Sequence, residues 1–270
     1  MRVLVVGGSG FLGREVCRRG VGAGWSVVGT CHSGDLRVPG VVVRRLDVTD
    51  RSAVRALVAQ VRPDVVINTS YRYDDWAVTA DGAAHVAGAA AEVGARLVHM
   101  SSDALHAGRS EPYADDDPPT PVFPYGAAKA AAETAVRALD PSAVLVRTSL
   151  IVGAGSKQIQ LCRDALAGRA TLFADELRCP IDVTDLAAAV VELVDSDYAG
   201  PLNVAGPEAV SRAELGRLVA HHEGLDASAL KTTTTVEYGL VRPTEIRLDT
   251  TRATSLLRTR LRGITELLTL

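Results

Sequence analysis

The first thirteen residues constrain the fold more than any other stretch of the chain. Arg2-Val3-Leu4-Val5-Val6 is a short apolar run suited to a buried parallel strand. Gly7-Gly8-Ser9-Gly10-Phe11-Leu12-Gly13 follows at once, and Arg14 to Ala23 then reads as a helix. A strand, a tight glycine turn and a helix N-terminus together make an anion site, because the unsatisfied N–H groups and the positive end of the helix dipole meet there. Gly7 permits the sharp turn. Gly10 lets the backbone approach a pyrophosphate with no Cβ in the way, and Gly13 lets helix and strand pack closely. The spacing is G-x-x-G-x-x-G rather than G-x-G-x-x-G. Placed directly after an N-terminal apolar strand, the loop Gly7, Gly10, Phe11, Leu12, Gly13 points to dinucleotide binding rather than to an ordinary turn.

The rest of the first half repeats the same unit. Ser26 to Thr30, Val41 to Leu46, Asp64 to Asn68 and Arg96 to Met100 read as strands. Between them, Ser52 to Val61 places Val54, Leu57, Val58 and Val61 at helical spacing, with Asp50 or Ser52 as its cap, and an alanine-rich helix runs from Thr79 to Val93. Repeated β-α-β units predict an α/β fold, a Rossmann-type doubly wound parallel sheet with ligands at the carboxyl ends of its strands. Glu111 to Pro124, rich in proline, reads as a long surface loop. The helix Gly126 to Ala138 and the strand Ala143 to Arg147 follow. Helices Leu186 to Val194 and Ala213 to Ala220 flank a strand-like Pro201 to Val204. The expected division is a dinucleotide-binding domain over residues 1–152 and a smaller, mainly substrate-binding region over 153–270, partly interleaved with the first.

Composition narrows the partners. A net charge of −3 over 270 residues gives no general attraction to nucleic acid or to an anionic membrane. No apolar stretch approaches a membrane span, and the N-terminus reads as a core strand rather than a signal peptide. Cys17, Cys31, Cys162 and Cys179 are scattered and show no metal spacing, so reduced thiols in the cytoplasm are expected. His221 and His222 are adjacent on a helix and point to different sides. Asp115, Asp116 and Asp117 read as a solvated loop; no metal site is expected.

A second signal is Tyr125-Gly126-Ala127-Ala128-Lys129. A tyrosine and a lysine four apart share a helix face. An ammonium beside a phenol favours the phenolate and makes the tyrosine a usable proton donor near neutral pH. Ser101-Ser102-Asp103 ends the fifth strand, where a doubly wound sheet places its site, and a hydroxyl there can polarise a carbonyl.

The glycine loop, the serine at the end of the fifth strand and the Tyr/Lys pair occur in the order found in one architecture. The chain resembles the extended short-chain dehydrogenase/reductase superfamily, and within it the dTDP-4-dehydrorhamnose reductase, or sugar-nucleotide-binding, group. Leu46-Asp47-Val48, Arg62 to Asn68, Val98 to Asp103, Pro124 to Glu133, Val146 to Ser149, Arg178 to Leu186 and Arg242-Pro243 carry the likeness. It implies Tyr125 as general acid and Lys129 as the residue that binds the nicotinamide ribose and tunes Tyr125. It implies Ser102 as the hydroxyl on the substrate carbonyl, with Ser101 as the alternative. It also implies Asp47 and Val48 at the adenine, Asn68, Thr69 and Ser70 beside the cofactor, and Asp103 and Arg242 toward the substrate, Arg242 at its diphosphate. A homodimer through the helices Thr79–Val93 and Gly126–Ala138 is a further family-level expectation.

The leading expectation is an NADPH-dependent reductase of a keto group on a nucleotide sugar of the dTDP-4-keto-6-deoxyhexose type. The alternatives are an epimerase or dehydratase on the same fold, or a non-catalytic NADP-binding regulatory subunit. NAD-preferring sites carry an acid after the second strand for the ribose 2′-OH. Here that place reads Thr30-Cys31-His32-Ser33, with no acid until Asp35. His32 and Ser33 suit a 2′-phosphate, and Arg14 or Arg37 adds positive charge, so NADP(H) is expected in preference to NAD(H). Two stretches depart from the family pattern: Thr79 stands where Asn is common, and Tyr71-Arg72-Tyr73-Asp74-Asp75-Trp76 replaces a run of small residues.

Overall fold

The computed structural model describes residues 1–269. In chain order the main elements are β1 (Arg2–Val6), α1 (Phe11–Gly22), β2 (Ser26–Cys31), β3 (Val42–Arg45), α2 (Arg51–Val61), β4 (Val65–Asn68), a π-helical turn (Ala77–Asp81) running into α3 (Gly82–Glu92), β5 (Arg96–Ser102), α4 (Pro124–Leu139) and β6 (Val144–Thr148). They continue with β7 (Ile151–Val152), α5 (Lys157–Leu166), β8 (Leu172–Phe173), β9 (Leu177–Arg178), β10 (Ile181–Asp182), α6 (Val183–Val194), β11 (Gly200–Asn203), β12 (Val210–Ser211), α7 (Arg212–Glu223), β13 (Thr232–Thr233), α8 (Thr251–Leu256) and α9 (Ile264–Thr269).

The central sheet is parallel and seven-stranded, in the order β11-β6-β5-β4-β1-β2-β3. The order reverses beside β1, which pairs with β2 on one side and β4 on the other. That reversal is the crevice where doubly wound sheets take ligands. β1 is buried from Val3 to Val6 because helices cover both faces, and β4 is buried throughout. On one face Val54, Leu57, Val58 and Val61 of α2 pack with Val86, Ala87 and Ala90 of α3 and Ala132 and Val136 of α4 over Leu4, Val66 and Leu97. Asp50 caps α2 by accepting the Ala53 N–H at 2.9 Å, which settles the choice between the two expected caps.

The chain divides into two compact units. The first is Met1–Ser102, Pro124–Arg147 and Ala187–Leu202; the second is Asp103–Phe123, Thr148–Leu186 and Asn203–Leu270. Residues 103–123 therefore fall in the second unit, and 187–202 in the first. The physical reasons are local. Val190, Leu193 and Leu202 are fully buried within the first unit, where β11 adds the seventh strand. The proline-rich loop is tied within the second unit by Arg109 N–H to Glu245 O and Tyr113 N–H to Arg247 O. Among the described residues no helix is long and apolar enough to cross a membrane.

The triple aspartate is solvated only in part: Asp116 is exposed. Asp115 is buried, accepts the Asn203 N–H at 2.5 Å and faces Arg252, while Asp117 pairs with Arg109. His221 and His222 are exposed on α7, with His222 Nδ1 donating to Leu268 O.

Candidate active site

The glycine loop is shaped by backbone bonds. Gly10 N–H donates to Gly7 O at 2.9 Å, and Gly7 N–H donates to Thr30 Oγ1 at 3.0 Å. Gly7 has φ +80°, and a Cβ on it would lie 2.8 Å from Ser70 N. A Cβ on Gly13 would lie 2.3 Å from Gly7 O. Gly13 thus lets α1 close against the loop itself, one step nearer the site than the strand packing expected for it. Gly10 meets only Gly7 O, at 3.2 Å, and its outer side is open. α1 starts at Gly10 with no side-chain cap and no acid in its first turn, so its terminal N–H groups stay available to an anion. This cradle fits the pyrophosphate of a dinucleotide. Phe11 is exposed at the loop; Leu12 is buried, so only its backbone faces the cradle.

The neighbouring elements complete the crevice. Thr69 Oγ1 donates toward Val6 O at 2.9 Å and Gly7 O at 3.2 Å, locking the end of β4 to the loop. Asn68 Oδ1 accepts both the Ser70 N–H at 3.1 Å and the Ser70 hydroxyl at 2.6 Å. Its amide nitrogen must then be the donor to His99 Nδ1, 3.2 Å away, which makes His99 the neutral Nε2–H tautomer. Burial agrees: His99 is pushed down to about 3, by desolvation first and by Lys129 second. Val48 is buried against α3, and the exposed Asp47 accepts from Thr49 N–H and hydroxyl, which holds its carboxyl below the ordinary range.

Beyond β2, His32 and Ser33 are both exposed. Asp35 pairs with Arg37 at 2.9 Å, and Arg14 donates to Asp35 O at 3.0 Å. Sequence reasoning missed Arg45. It ends β3 in register with Cys31 and donates to His32 O at 2.8 Å and Gly34 O at 3.2 Å. The signal was present in Arg44-Arg45 at the end of an edge strand. Asp47 also approaches His32, 3.7 Å from its Nε2.

The Tyr/Lys pair sits at the start of α4. Lys129 is 3% exposed and donates from Nζ to Met100 O at 2.9 Å. Burial pulls its ammonium down to about 8, while Glu133 one turn on pulls it back up. Glu133 is itself buried. It accepts from Arg147 Nε at 3.0 Å and Nη2 at 2.8 Å, and from Ser101 Oγ at 2.5 Å. Ser101 and Ser102 are successive in β5 and so point to opposite faces. Ser101 is buried toward Glu133, and Ser102 is partly exposed. Tyr73 stacks on the Tyr125 ring with centroids 4.8 Å apart, and Lys129 Nζ lies 5.4 Å from the centre of the Tyr71 ring.

Asp103 and Arg242 belong to the second unit. Asp103 accepts from the Ser149 hydroxyl at 2.6 Å, with Arg178 Nε 3.8 Å away. Arg242 bonds Glu176 at 3.1 Å; Arg212 holds the same carboxylate at 3.2 Å. Glu176 is 1% exposed, so Arg242 is anchored by a buried acid rather than by a surface carboxylate.

The model of the RmlD substrate binding domain matches residues 1–269. The dTDP-4-dehydrorhamnose reductase of Mycolicibacterium smegmatis is 32% identical over 247 residues, which is 85% of this chain and 72% of that protein. The crystal structure of a hypothetical dTDP-4-dehydrorhamnose reductase from Sulfolobus tokodaii is 29% identical, with a TM-score of 0.85 over 97% of each chain. The Bacillus anthracis dTDP-4-dehydrorhamnose reductase, solved in complex with NADP, shares the fold at 24% identity, with a TM-score of 0.81 over 99% of this chain and 96% of that one. The chain belongs to the RmlD substrate-binding-domain family, in the extended short-chain dehydrogenase/reductase superfamily of NAD(P)-dependent oxidoreductases.

Proposed function

We propose that the protein reduces a keto group on a nucleotide sugar, of the dTDP-4-keto-6-deoxyhexose type, with NADPH. The observation that carries this reading is Lys129. It is a buried lysine fixed by Met100 O, one helical turn from Tyr125, beside a glycine cradle in the same unit. Burying an ammonium is expensive, and a purely structural position has no need of it. The M. smegmatis relative is named for the same class of reaction.

When bound in the glycine cradle, a nicotinamide dinucleotide would supply the hydride for the carbonyl carbon. Ser102 donates a hydrogen bond to the carbonyl oxygen, and Tyr125 delivers the proton that turns it into a hydroxyl. Lys129 would stabilise the phenolate left on Tyr125 and hold the ribose of a bound nicotinamide. Ser102 is favoured over Ser101 because Ser101 is buried against Glu133 while Ser102 is partly exposed. The loop Gly7, Gly10, Phe11, Leu12 and Gly13 carries the pyrophosphate; Asn68, Thr69 and Ser70 flank the nicotinamide half, and Asp47 and Val48 the adenine. Asp103 and Arg242 serve the substrate, Arg242 from a mainly substrate-binding region over 153–270.

NADP(H) is preferred over NAD(H). Arg14, Arg37 and Arg45 gather around residues 32–35 and engage Asp35, the acid nearest the end of β2, through its side chain or carbonyl. Three guanidiniums suit a 2′-phosphate. The four cysteines are all buried, as suits a cytoplasmic enzyme, and α3 and α4 are the faces for a homodimer.

The test is NADPH oxidation with dTDP-4-keto-6-deoxyglucose and its epimerised derivative, with NADH and Tyr125→Phe in parallel. Turnover that Tyr125→Phe lowers by about 10²- to 10⁴-fold, with NADPH still bound, is the expected result. Tight NADPH binding without turnover on either sugar overturns it.

A further inference from the structure

The loop Tyr71–Trp76 is the most unusual surface of the first unit. The chain holds only 3 Phe, 2 Trp and 6 Tyr, yet three of these eleven fall within six residues. All three are about half exposed: Tyr71 57%, Tyr73 50% and Trp76 50%. Exposed large rings clustered on one loop mark a binding surface rather than a core. Their target is set by contact. Tyr73 stacks on Tyr125 at an interplanar angle of 27°, and Tyr71 tilts against the same ring at 6.1 Å.

Thr79 holds this arrangement. It is 1% exposed; its hydroxyl accepts the Arg72 N–H at 2.9 Å and donates to Arg72 O at 2.7 Å. Arg72 is thereby clamped at both ends of its backbone, between the two tyrosines. Asp75 adds a second lock by accepting the Val78 N–H at 3.1 Å, and its carbonyl accepts Thr79 N–H at 3.1 Å. The two departures from the family pattern, Thr79 and the aromatic loop, are thus one feature. The hydroxyl that replaces an amide fixes the rings that replace small residues. The π-helical turn Ala77–Asp81 gives Thr79 its place facing back along the loop, and such turns recur at functional sites.

We propose that Tyr71 and Tyr73 form an aromatic platform for the C–H face of the sugar ring that carries the reacting carbonyl, with Thr79 as its positioning residue. This rests on the reductase reading above and adds the sugar subsite to it. The carbonyl must come within hydrogen-bond reach of the Tyr125 hydroxyl. A ring stacked on Tyr125 therefore borders the reacting sugar and not the nucleobase, which the diphosphate holds away. The electron-rich faces of the tyrosines suit the polarised C–H bonds of a pyranose, and the exposed Arg72 and Asp74 lie on the same loop.

Calorimetric titration of the full chain with dTDP-glucose and with dTDP alone isolates the contribution of the hexose. The wild-type chain binds dTDP-glucose more tightly than dTDP. Tyr73→Leu lowers that advantage by about three- to tenfold and leaves dTDP affinity unchanged, and Tyr73→Phe keeps it. Thr79→Val follows Tyr73→Leu. A Tyr73→Leu chain with the full hexose advantage overturns the platform, and so does one that loses dTDP in the same proportion. Reduction of the keto sugar by the wild-type chain is measured in parallel. Reduction with an unchanged affinity ratio defeats the platform alone; absence of both reduction and dTDP-glucose binding defeats the reductase reading and the hexose subsite with it.

Discussion

Ser101 Oγ donates to Glu133 Oε1 across 2.5 Å, inside the sheet and away from solvent. The carboxylate that receives it also takes a two-point contact from Arg147, whose side chain is 2% exposed. One buried acid thus joins β5, β6 and α4, the three elements that carry Ser102, Arg147 and the Tyr/Lys pair. Ser101 is a structural hydroxyl in this arrangement, buried against Glu133, while Ser102, the next residue of β5, is partly exposed.

The two serines therefore separate by experiment. Ser101→Ala loses a hydrogen bond to a charged group, a cost of about 1.5–3 kcal/mol in urea denaturation, with kcat little changed. Ser102→Ala is expected to lower kcat by about 100-fold. Glu133→Ala strands the Arg147 charge and costs about 3–5 kcal/mol, whereas the double replacement Glu133→Leu, Arg147→Met recovers most of that. A Ser101→Ala enzyme with lost turnover and normal stability contradicts the assignment.

Lys129 gives opposite pH signs for stability and activity. Its folded value is about 8, below the 10.5 of a solvated lysine, because burial disfavours the ammonium. Between those two values the unfolded chain binds more protons than the folded one, so this group makes stability rise as pH climbs through that window. Activity is expected to move the other way, since the proposed mechanism needs the Lys129 ammonium beside Tyr125 and that ammonium is lost above about pH 8. The pH profile of kcat is expected to fall on its alkaline side near that value. The stability of the wild-type chain relative to Lys129→Met is expected to rise over the same range. An alkaline limb unmoved in Lys129→Arg removes Lys129 from the proton chemistry.

The middle of the sheet was legible because β1, β4 and β6 are short, largely apolar runs, and α2 repeats its apolar side chains at helical spacing. The cradle was legible because glycine has one use at Gly7, where φ is +80°. What the sequence hid is long-range. Nothing local in Ser101-Ser102 says which hydroxyl meets a carboxylate 32 residues away. Asp115 reads as solvated until Asn203 and Arg252 reach it, and nothing near Arg242, read as a diphosphate contact, reveals that Glu176 bonds it from 66 residues away. The π-helical turn at Ala77–Asp81 also escaped, because its composition is that of an ordinary helix start.

Arg45 is the residue whose loss would best expose cofactor choice. It is tied to His32 O and Gly34 O and lies 3.9 Å from Asp35, so it both shapes the loop after β2 and places charge there. Arg45→Ala is expected to weaken NADPH about tenfold, the worth of one exposed phosphate contact, and to leave NADH nearly unaffected. Fluorescence titration of both cofactors checks this. Equal loss for the two would mean that Arg45 only braces the loop.

Gly13 and Gly22, nine residues apart on α1, test the cradle against a matched control. A Cβ at Gly13 would lie 2.3 Å from Gly7 O and 2.9 Å from Gly8 Cα, both backbone atoms that cannot swing aside. Gly13→Ala must therefore push α1 away from the loop, at a cost of about 1–3 kcal/mol, and it widens the opening where the pyrophosphate would sit. NADPH affinity is expected to fall further than stability alone explains, since the helix N-terminus acts only at close range. At Gly22 a Cβ would meet nothing within 4 Å, and the position is helical. Gly22→Ala is expected to stabilise the chain by about 0.4–1 kcal/mol and to leave NADPH binding unchanged. Thermal melts and cofactor titrations on the pair read both effects. Equal behaviour of the two variants would show that the close approach of α1 to the loop is not what the cofactor requires.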